Sequence, residues 1–169
     1  MIVAYNTINN FEYECLLLLE TWANIPEVKC YGSTGDKYAA FLAPSSGEIE
    51  AVRLTHFSGN VSCDTKIPNT VWGCGYRQYF TQDEFLTLVT DSEKNVLFPS
   101  AQYRMHISYR ITGADVETTK SIILKSDPPR IVKKGDEFQI WYGEDLAGVH
   151  DSYNDPNALH CLLVALKYC

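Results

Sequence analysis

Tyr103, Met105, Ile107, Tyr109 and Ile111 alternate with Arg104, His106, Ser108 and Arg110. A period of two places the apolar set on one face of an extended chain, so the pattern predicts a half-buried β-strand. The same spacing recurs at Phe11, Tyr13, Cys15, Leu17 and Leu19, interleaved with Glu12 and Glu14, and at Phe138, Ile140 and Tyr142, interleaved with Glu137, Gln139 and Trp141. EIEAVRLTHF, EFLTLVTD, NVLFP, SIILK and ALHCLLVALKY add short apolar segments bounded by SSG, SGN, DSEKN, ITG, SDPP and KKGD turn clusters. No stretch sustains a helical period. Thr81 to Glu84 has the form of a capping box, but the β-branched residues that follow favour a strand there. About ten short strands, with turns roughly every 8 to 12 residues, predict one all-β domain over residues 1–169. The expected architecture is a two-sheet β-sandwich or jelly roll whose functional loops gather at one end.

Charge and cysteine usage narrow the function. The net charge of -7 opposes a phosphate-binding surface, so nucleic acid is not expected as a partner. No apolar run approaches the roughly 20 residues that span a bilayer, and Leu16 to Leu19 lie between Glu14 and Glu20. The N-terminal residues lack the order of a signal peptide, which leaves a cytosolic chain or a mature form with an added Met. Cys15, Cys30, Cys63, Cys74, Cys161 and Cys169 form no Cys-x-x-Cys pair and no finger-type spacing, so disulfides are expected rather than zinc. Short loops make Cys15 with Cys30 and Cys63 with Cys74 plausible bridges, while Cys169 suits a bridge within the chain or across a dimer. Six reduced core thiols are the plain alternative. The Asn60-Val61-Ser62 sequon permits secretion without requiring it.

WYGEDLAGVHDSYND, from Trp141 to Asp155, holds Glu144, Asp145, Asp151 and Asp155, and no Lys or Arg occurs between Gly135 and Leu166. A hard cation such as Ca2+ takes six to eight oxygen ligands, which these carboxylates and the amides of Asn154 and Asn157 can supply. Gly143 and Gly148 let the backbone turn its carbonyls inward. The spacing does not match an EF-hand, and a solvated acidic loop is the plain alternative. Aromatic residues surround the acids: Trp141, Tyr142 and Tyr153 flank them, and Trp72 sits in VWGCGYRQY. A sugar lays C–H faces on aromatic rings and offers hydroxyls to acids and amides, so the mixture suits a saccharide. Tyr142 shares a face with Phe138 and Ile140 and reads as core, whereas Trp141 points to the other face. His150, inside the acidic loop, is a candidate donor to a ligand.

FLAPSSGEIEAVRLTHFSGNVSC, VWGC, DSEKNVLFPS and EFQIWYGEDL together resemble a group of secreted cnidarian proteins that includes a galactose-specific, calcium-dependent lectin of sea anemones. The resemblance runs over most of the chain after Phe41. It implies a β-sandwich, a bound Ca2+ that coordinates galactose hydroxyls directly, and a homodimer able to crosslink galactose-terminated glycans. On this reading Glu144, Asp145, Asp151 and Asn154 are metal ligands, while Trp72, Trp141, His150 and Tyr153 are the sugar contacts that the residue chemistry of the loop suggests. The family's Asn followed by a Gly pair is not kept, because Asn154 runs into Asp155-Pro156-Asn157; Asp155 is the candidate replacement ligand.

An enzyme is the first rival, since two carboxylates suffice for glycoside hydrolysis. Acids crowded into one short loop are better placed to share a cation than to flank a substrate, and no nucleophile elbow, HExxH or phosphate loop occurs. The second rival is a secreted adhesive domain in which calcium only stiffens the loop. The expectation is a secreted galactose lectin without catalysis or membrane insertion.

Overall fold

The computed structural model describes residues 22–75, 80–101, 103, 107–149, 154 and 156–169. Its strands are β1 (Trp22–Asn24), β2 (Lys29–Gly32), β3 (Ala39–Leu42), β4 (Gly47–Gly59), β5 (Glu84–Phe85), β6 (Thr87–Asp91), β7 (Val96–Phe98), β8 (Tyr109–Arg110), β9 (Ser121–Val132), β10 (Glu137–Tyr142) and β11 (Leu159–Tyr168). One helical turn, α1 (Gly143–Leu146), follows β10. All strand pairs are antiparallel.

In the first sheet β11 pairs with β4 on one edge, and β4 in turn with β9; β1 and β2 lie end to end along the other edge of β11. The second sheet runs β3, β10, β6, β7. A short ribbon of β5 and β8 stands beside them. Strand β9 shows why these residues form a sandwich: Ile122, Leu124 and Ser126 are buried while Ser121, Ile123 and Lys125 face outward. Their inward partners from β4 and β11 are Val52, Leu54, Leu162 and Val164. Against them the second sheet packs Phe41, Leu88, Phe98, Phe138 and Ile140, with the Phe41 and Phe138 rings stacked 5.2 Å apart.

Two expectations need correction. The alternation from Tyr103 to Ile111 does not produce one strand, because Ile107 sits at φ 58°, outside extended backbone, and only Tyr109–Arg110 pair, with β5. Residues 104–106 lie outside the described residues, as does the expected strand from Phe11 to Leu19. The expected Cys15 to Cys30 bridge gives way to Cys30–Cys161, because the antiparallel register of β2 on β11 sets these two residues opposite each other with Cα atoms 4.0 Å apart. Cys63–Cys74 forms as expected, Cys169 is also disulfide-bonded, and no described cysteine is free. At the Thr81 to Glu84 turn the Thr81 amide donates to the Glu84 carboxylate at 2.8 Å, a capping contact that leads into β5 rather than a helix.

A hydrogen-bonded chain crosses the interior. His56 Nδ1 lies 3.0 Å from His160 Nε2, His160 Nδ1 lies 3.1 Å from the Tyr31 hydroxyl, and that hydroxyl lies 2.5 Å from Thr87 Oγ1, which donates to the Trp72 carbonyl at 3.2 Å. A carbonyl can only accept, and this fixes the direction of the protons as far as His160. Thr87 donates to Trp72, Tyr31 to Thr87, and His160 through Nδ1 to Tyr31. Burial, followed by the nearby His56, pushes the His160 pKa down to about 3, which favours the neutral imidazole. In that form its Nε2 carries no proton and accepts from His56 Nδ1.

Phe138, 1% exposed between Phe41 and Phe98, is expected to cost about 3–5 kcal/mol on truncation to Ala in urea unfolding. Ile131→Ala, at an 82% exposed position, should change stability by no more than about 0.5 kcal/mol. Because the His160 pKa is depressed in the folded state, the unfolded chain binds the extra proton. The contribution of neutral His160 is thus full above the unfolded value near 6.5 and is lost as pH falls toward 3. Unfolding measured from pH 7 to pH 5 should show a slope of up to about 1.4 kcal/mol per pH unit that His160→Gln removes.

Candidate functional site

Strand β10 lies between β3 and β6, and every residue of it after Glu137 is buried. Phe138, Ile140 and Tyr142 face the core as the alternation predicts. The strand ends where the Gly143 amide donates to the Leu86 carbonyl at 2.7 Å, and the chain coils into α1. This turn carries Glu144, 0% exposed, and Asp145, 8% exposed. Three backbone bonds close it, Ala147 N–H to Gly143 O at 3.0 Å, Gly148 N–H to Asp145 O at 2.9 Å and Val149 N–H to Glu144 O at 3.0 Å. Gly148 then takes φ 66°, the left-handed conformation for which a residue without Cβ is suited. A carboxylate held away from water at Glu144 has to be matched by hydrogen bonds or by a cation.

Asn154 supplies the second element. It is 3% exposed, and its Nδ2 donates to the Ser33 carbonyl at 2.7 Å. Only the amide nitrogen can donate to a carbonyl, so this contact fixes which way the side chain faces. Its Oδ1 is buried and has no hydrogen-bond partner among the described residues. An amide oxygen taken from water without compensation costs on the order of 1–3 kcal/mol.

The segment joining β2 to β3 brings these parts together. Gly32 donates to the Lys37 carbonyl at 2.8 Å, which folds residues 33–37 into a tight loop. One side of the loop holds Asn154 through Ser33, and Lys37 Nζ donates to the Pro156 carbonyl at 2.7 Å. The other side enters β3, whose Ala39 pairs with Ile140. One further step in that register sets Tyr38 beside Trp141, just before α1. The loop therefore lies between the acidic turn and the segment around Asn154, at the end of the sandwich where β10 gives way to α1.

Trp141 and Trp72, expected to offer faces to a sugar, are both 0% exposed, and the structure gives them packing roles. Trp72 donates from Nε1 to the Thr119 carbonyl at 2.6 Å and sets its ring edge-on to His160, 4.8 Å away. Trp141 donates from Nε1 to Gln139 Oε1 at 3.0 Å and is covered by Tyr38, the rings 4.8 Å apart and inclined by 28°. Lys94 sets its ammonium 4.5 Å from the Trp141 ring centroid and 2.9 Å from Asp36. Asp151, Asp155, His150 and Tyr153 lie outside the described residues. Among the described residues no three of His, Cys, Asp and Glu form a metal-holding group, so the described part of the expected ligand set is Glu144, Asp145 and the Asn154 amide.

Sequence reasoning passed over Ser33, Lys37 and Tyr38. The only local signal was a Tyr at the point where the turn-forming GSTGDK enters a strand. Lys37 and Lys94 also bring positive charge toward a region whose own sequence has none, a contact that pairs residues 119 positions apart in the first case.

No family model matches the sequence, and no curated protein matches it. Among solved structures the chain is similar to AJLec from the sea anemone Anthopleura japonica, with a TM-score of 0.77 and 24% identity, over 89% of this chain and 98% of that one. At that identity the likeness speaks for the fold, and in fold this chain resembles a sea-anemone lectin.

Proposed function

We propose that the chain is a secreted lectin that binds terminal galactose through Ca2+ and crosslinks glycans as a dimer. The observation that carries the reading is the buried Asn154 Oδ1, oriented by Ser33 and without a hydrogen bond among the described residues, at the end of the sandwich that also holds Glu144 and Asp145. Hard oxygen donors of this type, two carboxylates and an amide, fit Ca2+. In this proposal Glu144, Asp145 and Asn154 hold the ion together with Asp151 and Asp155, which lie outside the described residues. When bound, the ion offers coordination positions that two neighbouring sugar hydroxyls take in place of water. Binding is an equilibrium without bond cleavage, and His150 and Tyr153 are proposed as further sugar contacts.

The fold likeness to a sea-anemone lectin supports carbohydrate binding. The disulfides Cys30–Cys161 and Cys63–Cys74 fit an oxidising compartment, and no described helix is long and apolar enough to cross a membrane.

Titration calorimetry with galactose should give heat in Ca2+ and none with a chelator. Galactose binding that survives chelation would sink the metal-bridged reading, and silence in both arms from folded protein would favour the adhesive domain. Ca2+ should also raise the thermal midpoint, since a ligand at 100 times its Kd adds about 2.7 kcal/mol. Asn154→Ala should weaken Ca2+ binding by at least about tenfold and shrink that rise.

A further inference from the structure

We propose that Tyr38 is the aromatic platform on which the apolar face of a terminal galactoside rests, beside the cation site. This rests on the lectin reading above and assigns to Tyr38 the stacking role for which Trp72 and Trp141 are too deeply buried. Tyr38 is 40% exposed, while the ring it covers, Trp141, is 0% exposed. With one face spent on Trp141, at 4.8 Å and 28°, the accessible area of Tyr38 lies away from the core.

The ring is held before any ligand arrives. Trp141 beneath it is fixed by the 3.0 Å bond to Gln139, whose own amide donates to Glu137 at 2.8 Å. Asp36, two residues earlier, is tied to Lys94 at 2.9 Å, and Lys94 also sits against Trp141. A rigid aromatic ring contributes contact area with little loss of side-chain freedom, which is how a small saccharide gains affinity.

Position completes the argument. The Gly32 to Lys37 hydrogen bond closes the loop, so Ser33 and Tyr38, each adjacent to one member of that bonded pair, lie within about 10 Å of each other in Cα terms. Ser33 holds Asn154, the proposed cation ligand, and Glu144 lies three residues beyond Trp141, at most about 11 Å along the chain. A galactoside with two hydroxyls on the cation can therefore lay its C–H face toward Tyr38. The axial hydroxyl of galactose leaves the ring hydrogens gathered on one face, the complement of an exposed aromatic ring.

The test compares wild type with Tyr38→Phe, Tyr38→Leu and Tyr38→Ala, measuring Ca2+ binding alone and then methyl galactoside binding at saturating Ca2+. Tyr38→Leu keeps a cover over Trp141, so a folded variant without the flat ring is in hand even where Tyr38→Ala loosens the sheet end. Tyr38→Phe should keep the galactoside Kd within about twofold, and Tyr38→Leu and Tyr38→Ala should raise it roughly tenfold with Ca2+ affinity unchanged. Wild-type affinity in Tyr38→Leu overturns the platform while leaving the calcium lectin intact. Equal loss of Ca2+ and galactoside in all three variants assigns Tyr38 a structural role and also overturns it. A wild-type protein that binds Ca2+ but no galactoside removes the lectin reading and the platform together.

Discussion

The interior of this sandwich is organised around a hydrogen-bonded chain that begins at a half-buried histidine and ends on a carbonyl. His56 on β4, His160 on β11 and Tyr31 on β2 belong to one sheet; Thr87 on β6 belongs to the other; the Trp72 carbonyl closes the series. Each of these polar atoms would be expensive to bury alone, and each is made tolerable by the next. A one-residue register slip of β2, β4, β6 or β11 would turn its member of the chain to the opposite face and leave the partners unsatisfied. Tyr31 is held as the neutral phenol, since burial pushes its pKa well above that of a free tyrosine.

Fixing the sheets also fixes the sandwich end. Strand β10 is paired on both edges and buried after Glu137, and with Tyr38 stacked over it Trp141 becomes a foundation rather than a ligand contact. The acidic turn grows directly from that strand, and the loop between β2 and β3 clamps the segment around Asn154 from the other side. The cation site proposed above is divided between a strand end and a neighbouring loop, an arrangement in which ligand oxygens take their geometry from the sheet. The Cys30–Cys161 bridge joins β2 and β11 close to where both enter these loops, reinforcing the same end.

Much of the fold was legible because burial leaves a periodic trace. The alternation through Phe138, Ile140 and Tyr142 and the segments that became β4, β6 and β11 had the composition of strands and are used nearly as bounded, whereas β9 continues through Ser126-Asp127-Pro128-Pro129, expected as a turn, to Val132. The strongest alternation failed at Ile107, whose positive φ turns the chain, a backbone feature that side-chain pattern does not encode. Loop length suggested a Cys15 to Cys30 bridge, but disulfide partners follow strand register, and register pairs residues far apart in sequence. The burial of Trp141 was equally hidden, since it shares the outward face of the alternation with Glu137 and Gln139 and is covered by Tyr38, a residue distant in sequence.

By itself, the sequence determined the class of fold and the chemistry on offer: extended segments from period-two hydrophobicity, and a hard-donor loop from four acids with no intervening Lys or Arg. These are local properties, carried by neighbours in the chain. Tertiary structure alone decided which amide oxygen is buried without a hydrogen bond among the described residues, which aromatic kept a face toward solvent, and which lysines reached the acidic end. Asn154 meets Ser33, Tyr38 meets Trp141 and Lys37 meets Pro156 only through the pairing of distant strands. Burial and hydrogen-bond satisfaction are properties of that pairing, and no local stretch of residues specifies them.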